Sequence, residues 1–155
     1  MIPITPAPVS RENVVSMTRA LSTLRVMQWA LLASVLLYVA VGQFARPIAR
    51  GLDPTLSYLF ATLGVAIVGI IFVVRRTLVF RAAASLVTQP DDPLSLGQWR
   101  TGYIATYALC EALAVFGLVM RLVGGNLQQS IPYYLGGFIL LFFFRPLPPQ
   151  AEANT

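Results

Sequence analysis

The sequence predicts an all-α integral membrane protein, with four membrane-spanning helices behind an N-terminal amphipathic helix and both chain ends in the cytoplasm. Three observations predict it. Hydrophobic residues make up 57% of the 155 and charged residues only 11%, with a mean hydropathy of +0.72. A soluble domain carries about 25% charge, so this chain could not cover its surface in water. The apolar residues fall into four stretches parted by Pro, Gly, Asp and Arg, and the arginines are unevenly shared among the connecting segments.

Residues 1–9, MIPITPAPV, hold three prolines and no charge and read as an extended or disordered tail. Ser10 suits an N-cap, and Glu12 in the first turn suits the helix dipole. Val14, Met17, Leu21 and Leu24 recur at helical spacing, with Arg11, Arg19, Ser22 and Arg25 elsewhere on the wheel. This pattern predicts an amphipathic interfacial helix over 10–25.

The first span covers about 26–44, charge-free between Arg25 and Arg46. About 20 residues cross a hydrocarbon core of about 30 Å. The run exceeds the roughly 7–15 apolar residues of a signal peptide, so it is expected to be retained. Pro47 and the GLDP turn from Gly51 make the first loop. The second span covers about 55–74 and ends at Arg75 and Arg76. Nothing breaks the helix before about Val87, and TQPDDP (Thr88–Pro93) is the clearest loop in the chain. Ser95 can cap the next helix, with Trp99 and Arg100 as interfacial anchors. The third span, about 101–123, ends at GGN, a C-cap signal. The fourth covers about 128–144. Its strictly apolar part runs only from Ile131 to Phe144, so it crosses only with Asn126–Ser130 at the headgroups or with local thinning. Pro132 is expected in its first turn, where Pro is tolerated. Tyr133 and Tyr134 form an interfacial belt. The tail from 146 is extended or disordered.

Four spans place both ends on the same side as the loop between the second and third. That side carries Arg11, Arg19, Arg25, Arg75, Arg76, Arg81, Arg100 and Arg145, against Arg46, Arg50 and Arg121 on the other. The positive-inside rule then puts the ends in the cytoplasm of a cell (inner or plasma) membrane. All basic residues are Arg, with no Lys, which fits a GC-rich bacterial genome.

Composition also excludes. There is no His, so no imidazole can hold haem, copper or a pigment magnesium, or shuttle protons. One cysteine, Cys110, cannot build a disulfide, a zinc site or an iron–sulfur cluster. It reads as a small core residue. PDDP offers too few oxygens for a divalent cation and reads as a solvated turn. The arginines flank the spans and predict no nucleic-acid binding. Arg75, Arg76, Arg81 and Arg100 are candidates for contact with anionic lipid headgroups. Ala108 with Ala112, Gly136 with Gly137, and Gly64 with Gly69 predict close helix packing. Bound lipid, quinone or pigment is allowed by such a bundle, although nothing names it.

One residue stands out. Glu111 lies in the run ALCEALAVFGLVM from Ala108. A carboxylate at the bilayer centre costs on the order of 2.5–3.5 kcal/mol on insertion scales, so it takes up a proton or finds partners. Arg100 shares its helical face but lies eleven residues away, about 16 Å. The polar groups at similar depth are Ser34 and Tyr38 on the first span and Thr62 on the second, with Tyr107 one turn away. These five residues form the candidate ion- or partner-contact site. No catalytic or metal residue is expected.

EALAVFGLV, Glu111–Val119, resembles the carboxylate helix of the rotor-ring proteolipid (c) subunits of ATP synthases. That resemblance implies an ion-binding role for Glu111. The chain departs from the family elsewhere: the preceding span carries only Gly64 and Gly69, the loop reads TQPDDP, and the carboxylate is on the third of four spans.

Three functions follow as expectations. The first is a non-catalytic accessory or structural subunit of a larger membrane complex, of the electron-transport or photosynthetic, energy-transducing kind, meeting other membrane subunits. The second is a small proton- or cation-conducting protein using Glu111. The third is a lipid- or quinone-binding carrier.

Overall fold

The computed structural model describes residues 11–44, 53–89 and 92–148, with side chains from Met17 onward. The expected tail over 1–9, the Ser10 cap, the role of Glu12, most of the first loop, Pro90–Asp91 and the end of the chain from 149 lie outside the described residues. Among the described residues the chain is helical throughout and has no strand. Helix α1 is Arg11–Phe44 and α2 is Pro54–Val74. A π-helical segment, Arg75–Phe80, carries α2 without a break into α3, Arg81–Thr88. Helix α4 is Pro93–Leu122 and α5 is Leu127–Phe143. Three stretches are long and apolar enough to cross a membrane: Met17–Phe44, Pro54–Thr88 and Pro93–Leu122. The chain is therefore an all-helical protein with multi-pass membrane character.

The expected surface helix over 10–25 and the first span are one continuous rod of 34 residues, because no Gly or Pro interrupts the sequence from Arg11 to Val41. The second helix passes through its arginines to Thr88, as the absence of a breaker requires. Asp92, not Ser95, caps α4. Its carboxylate accepts from the Leu94 and Ser95 amides at 3.1 and 3.2 Å, and the Ser95 hydroxyl also donates to it at 2.5 Å. Three residues earlier in the chain, an ionised carboxylate satisfies more orphan N–H groups than a hydroxyl can. At the other end Gly124, at φ 111°, lets the Gly125 amide donate to the Met120 carbonyl at 2.9 Å. This Schellman turn needs the left-handed region that glycine alone enters freely.

Helix α5 has 17 residues, about 26 Å. Asn126 and Gln129 form a reciprocal capping box at its start. Because the box begins the helix at Leu127, Pro132 lies in its interior, not in its first turn as its distance from Ile131 suggested.

Helix α4 is the axis of the bundle, with α1, α5 and α2 packed around it. Its tightest seam is with α5. A Cβ on Gly137 would sit 2.7 Å from the Cys110 carbonyl oxygen and 3.0 Å from Ala114 Cβ, and one on Gly117 would sit 3.1 Å from the Tyr134 ring. The face of α4 used here is Cys110–Ala114–Gly117, at i, i+4 and i+7, and all three are buried. Cys110 is thus a small core residue of the seam. The Ala108–Ala112 face is not the one packed, since Ala108 is exposed. Gly64 and Gly136 face Tyr133 and Leu113 closely, whereas nothing lies within 4 Å of a Cβ on Gly69. A second close approach is at Gly102, where a Cβ would sit 2.7 Å from Val79 Cγ2. The π segment rests its backbone against α4 there.

Candidate functional site

Helices α1 and α5 run antiparallel. Gln28 Nε2 donates to the Leu141 carbonyl at 2.6 Å near one end of the bundle. Near the other, Arg121 Nε donates to the Gly42 carbonyl and its Nη1 to the Gly125 carbonyl, both at 3.1 Å. Arg121 occupies the last turn of α4, where a cation is favoured by the helix dipole.

Between these two end contacts lies Glu111. Ser34 and Tyr38 are one turn apart on α1 and so share a face. The Tyr38 hydroxyl donates to Glu111 Oε1 at 2.7 Å, and the Ser34 hydroxyl donates to the same oxygen at 3.0 Å. The group is part-buried, in the seam between α1 and α4. The arrangement follows from elementary costs. A carboxyl at this height gains little solvation from lipid, and the hydroxyls of an apolar helix need an acceptor. Bringing the two together satisfies both and fixes the rotation of α1 about α4.

Of the five candidate residues the structure brings together three: Glu111, Ser34 and Tyr38. Thr62 is not among them. It is exposed on α2, and its hydroxyl bonds back to the Tyr58 carbonyl at 2.9 Å. The reason is topological, because α2 packs on a different side of α4 from α1. Tyr107 is fully buried, but in an aromatic ladder. Its ring stands 5.9 Å from that of Tyr103, which stands 5.0 Å from Trp99. It packs along α4 against Tyr103.

The headgroup candidates divide as well. Arg76, Arg81 and Arg100 are exposed. Arg75 instead turns inward. Its guanidinium carbon lies 4.2 Å from the Phe144 ring centroid, 5.5 Å from Phe80 and 5.7 Å from Tyr103. All three fall within cation–π range. The sequence groups Arg75 with the other arginines that flank the spans on the same side. The aromatic set that takes it comes from three separate helical segments and has no local signature.

An apolar groove of about 540 Å³ lies between α2, α4 and α5, with Gly64, Leu113, Pro132 and Tyr133 among its walls. Among the described residues no group of three or more His, Cys, Asp or Glu is placed to hold a metal ion.

No family model, curated protein or solved structure matches this chain.

Proposed function

We propose that this chain is a non-catalytic accessory subunit of a larger membrane protein complex, crossing the bilayer four times with both ends in the cytoplasm. The bare outer face of α2 carries the reading. Only 11% of the most apolar 18-residue stretch within Pro54–Thr88 is buried in the chain, against 44% of the matching stretch within Pro93–Leu122. On that face Thr62, Ala66 and Gly69 are exposed at i, i+4 and i+7. Small residues let transmembrane helices approach closely, and among the described residues all three are left exposed. The Glu111 cluster is consistent with the same role. Both hydroxyls on its carboxyl come from the chain itself, so the group serves as a clamp that holds α1 to α4. The fourth crossing relies on α5, a few ångströms short of the hydrocarbon thickness and within reach of local thinning. The orientation relies on the arginine distribution.

Purification of the tagged chain from native membranes tests the proposal. The parent should bring a stoichiometric membrane partner. Ala66→Leu with Gly69→Leu should lose that partner while keeping the parent's far-UV circular dichroism. A parent that purifies as a lone monomer refutes it.

A second reading, proton or cation conduction through Glu111, draws on the same oxygen cluster, since a carboxyl and two hydroxyls are suitable ligands for a proton or small cation. Flux in proteoliposomes decides. Conduction that survives Glu111→Gln, or is missing from the parent, rules it out.

A further inference from the structure

A groove of about 740 Å³ opens between α1 and α5 at the end of the bundle where Gln28 meets Leu141. One wall is a single face of α1: Arg25, Trp29 and Leu32, at i, i+4 and i+7. The facing wall is Phe142 and Phe143, beyond which lies Arg145. The Gln28 amide, bonded to α5, ties the two walls together. The segment carrying Arg145 is pinned. The Tyr103 hydroxyl donates to the Arg145 carbonyl at 3.5 Å and accepts from the Leu147 amide at 3.2 Å. Tyr103 itself is fully buried.

Both guanidiniums are exposed, and among the described residues no carboxylate pairs with either. Among the described residues no acidic one lines the groove. Two cations therefore stand at the mouth of a slot whose walls are aromatic and aliphatic, with the Trp29 indole one helical turn deeper than Arg25. A free anion would leave the apolar walls unused, and an apolar ligand would leave two arginines uncompensated. A zwitterionic lipid brings its own cation to a site that already holds two.

We infer that this groove holds one anionic phospholipid, its phosphate between Arg25 and Arg145 and its acyl chains along Trp29, Leu32, Phe142 and Phe143. The site is distinct from the exposed Arg76 and Arg81, and from the smaller groove of about 390 Å³ where Arg19 and Arg100 meet, whose walls carry no aromatic ring. It is also independent of any partner on α2.

The test uses the full chain in nanodiscs of phosphatidylcholine doped with phosphatidylglycerol, followed by native mass spectrometry. The parent should retain one phosphatidylglycerol in preference to phosphatidylcholine. Losing two arginines, Arg25→Gln with Arg145→Gln, should weaken that retention roughly thirtyfold. Arg76→Gln with Arg81→Gln removes the same net charge at exposed positions and should change it little. Trp29→Ala keeps both arginines and should also weaken retention, which covers the case of a double variant that does not fold. Excess inorganic phosphate should not displace the lipid. Equal loss in the two double variants, no preference for the anionic lipid, or displacement by phosphate would overturn the inference.

Discussion

Removing the Glu111 carboxyl should cost far more than replacing it with an amide. In the folded chain one oxygen, Oε1, accepts from Tyr38 at 2.7 Å and from Ser34 at 3.0 Å. Hydrogen bonds between transmembrane helices contribute about 0.6 kcal/mol on average and up to about 1.7. The shorter bond belongs near the upper end, so Tyr38→Phe should cost about 1 kcal/mol and Ser34→Ala about 0.6. Glu111→Ala loses both bonds, strands two hydroxyls without an acceptor and opens a gap, about 2–4 kcal/mol together. Glu111→Gln keeps a carbonyl oxygen that can accept both hydroxyls, so it should remain within about 1 kcal/mol of the parent. Reversible unfolding in bicelles, followed by far-UV circular dichroism, measures each. The decisive quantity is the coupling between Tyr38→Phe and Glu111→Ala, expected near 1 kcal/mol. Additivity within about 0.3–0.5 kcal/mol would refute the clamp, because uncoupled sites add to that accuracy. If Glu111→Gln cost as much as Glu111→Ala, the carboxyl itself and not its shared acceptor oxygen would matter. The oxygen cluster would then read as an ion site.

Other outcomes follow from the same structure. Gly137→Ala places a methyl 2.7 Å from the Cys110 carbonyl oxygen, which cannot yield without moving α4, and should cost about 1–3 kcal/mol in the same assay. Gly136→Ala meets only the end of the Leu113 side chain at 3.1 Å and should cost under about 1 kcal/mol. Arg75→Gln should destabilise by about 1–2 kcal/mol through the loss of three ring contacts, while Arg76→Gln stays within about 0.5 kcal/mol of the parent. The Ser95 hydroxyl and the Leu94 amide hold the Asp92 carboxyl below its ordinary value of 3.8. Its contribution to stability is therefore complete above that value and is lost as the pH falls through the lower folded value. Thermal scans should find Asp92→Ala less stable than the parent at neutral pH, the difference shrinking in strong acid.

The helical class and the membrane character were legible because lipid imposes a simple rule. Apolar stretches of about 20 residues must satisfy their backbone within a helix, and breakers then mark the ends. GGN stopped α4 by the mechanism its glycines suggest. The partners of Glu111 were partly legible too, since depth along a helix can be counted from the sequence. Ser34 and Tyr38 lie at the counted depth and on the packed side, whereas Thr62 lies at a comparable depth on the wrong side. Counting fixes height. It does not say which helices are neighbours, and with α4 central that choice decided which hydroxyls met the carboxyl.

Arg75 marks the other boundary of what the sequence could say. Beside Arg76 it is one of a pair, and a positive-inside count treats the two alike. They separate because successive helical residues point about 100° apart, and the π turn that begins at Arg75, where hydrogen bonds reach from i to i+5, sets which of the two faces the bundle. The turn lies opposite Gly102, whose missing side chain lets the Val79 backbone approach α4, with the amide 3.3 Å from where a Cβ would stand. With the segment seated there, Arg75 faces Phe144 and Tyr103 while Arg76 faces outward. One glycine on α4 thus helps seat a turn on the preceding helix, and that turn directs the half-buried Arg75 onto its rings while Arg76 stays exposed. A Cβ at Gly102 should push the two helices apart and disturb the Arg75 ring contacts along with the seam. Gly102→Ala should therefore lower stability and, combined with Arg75→Gln, fall short of the sum of the two separate losses.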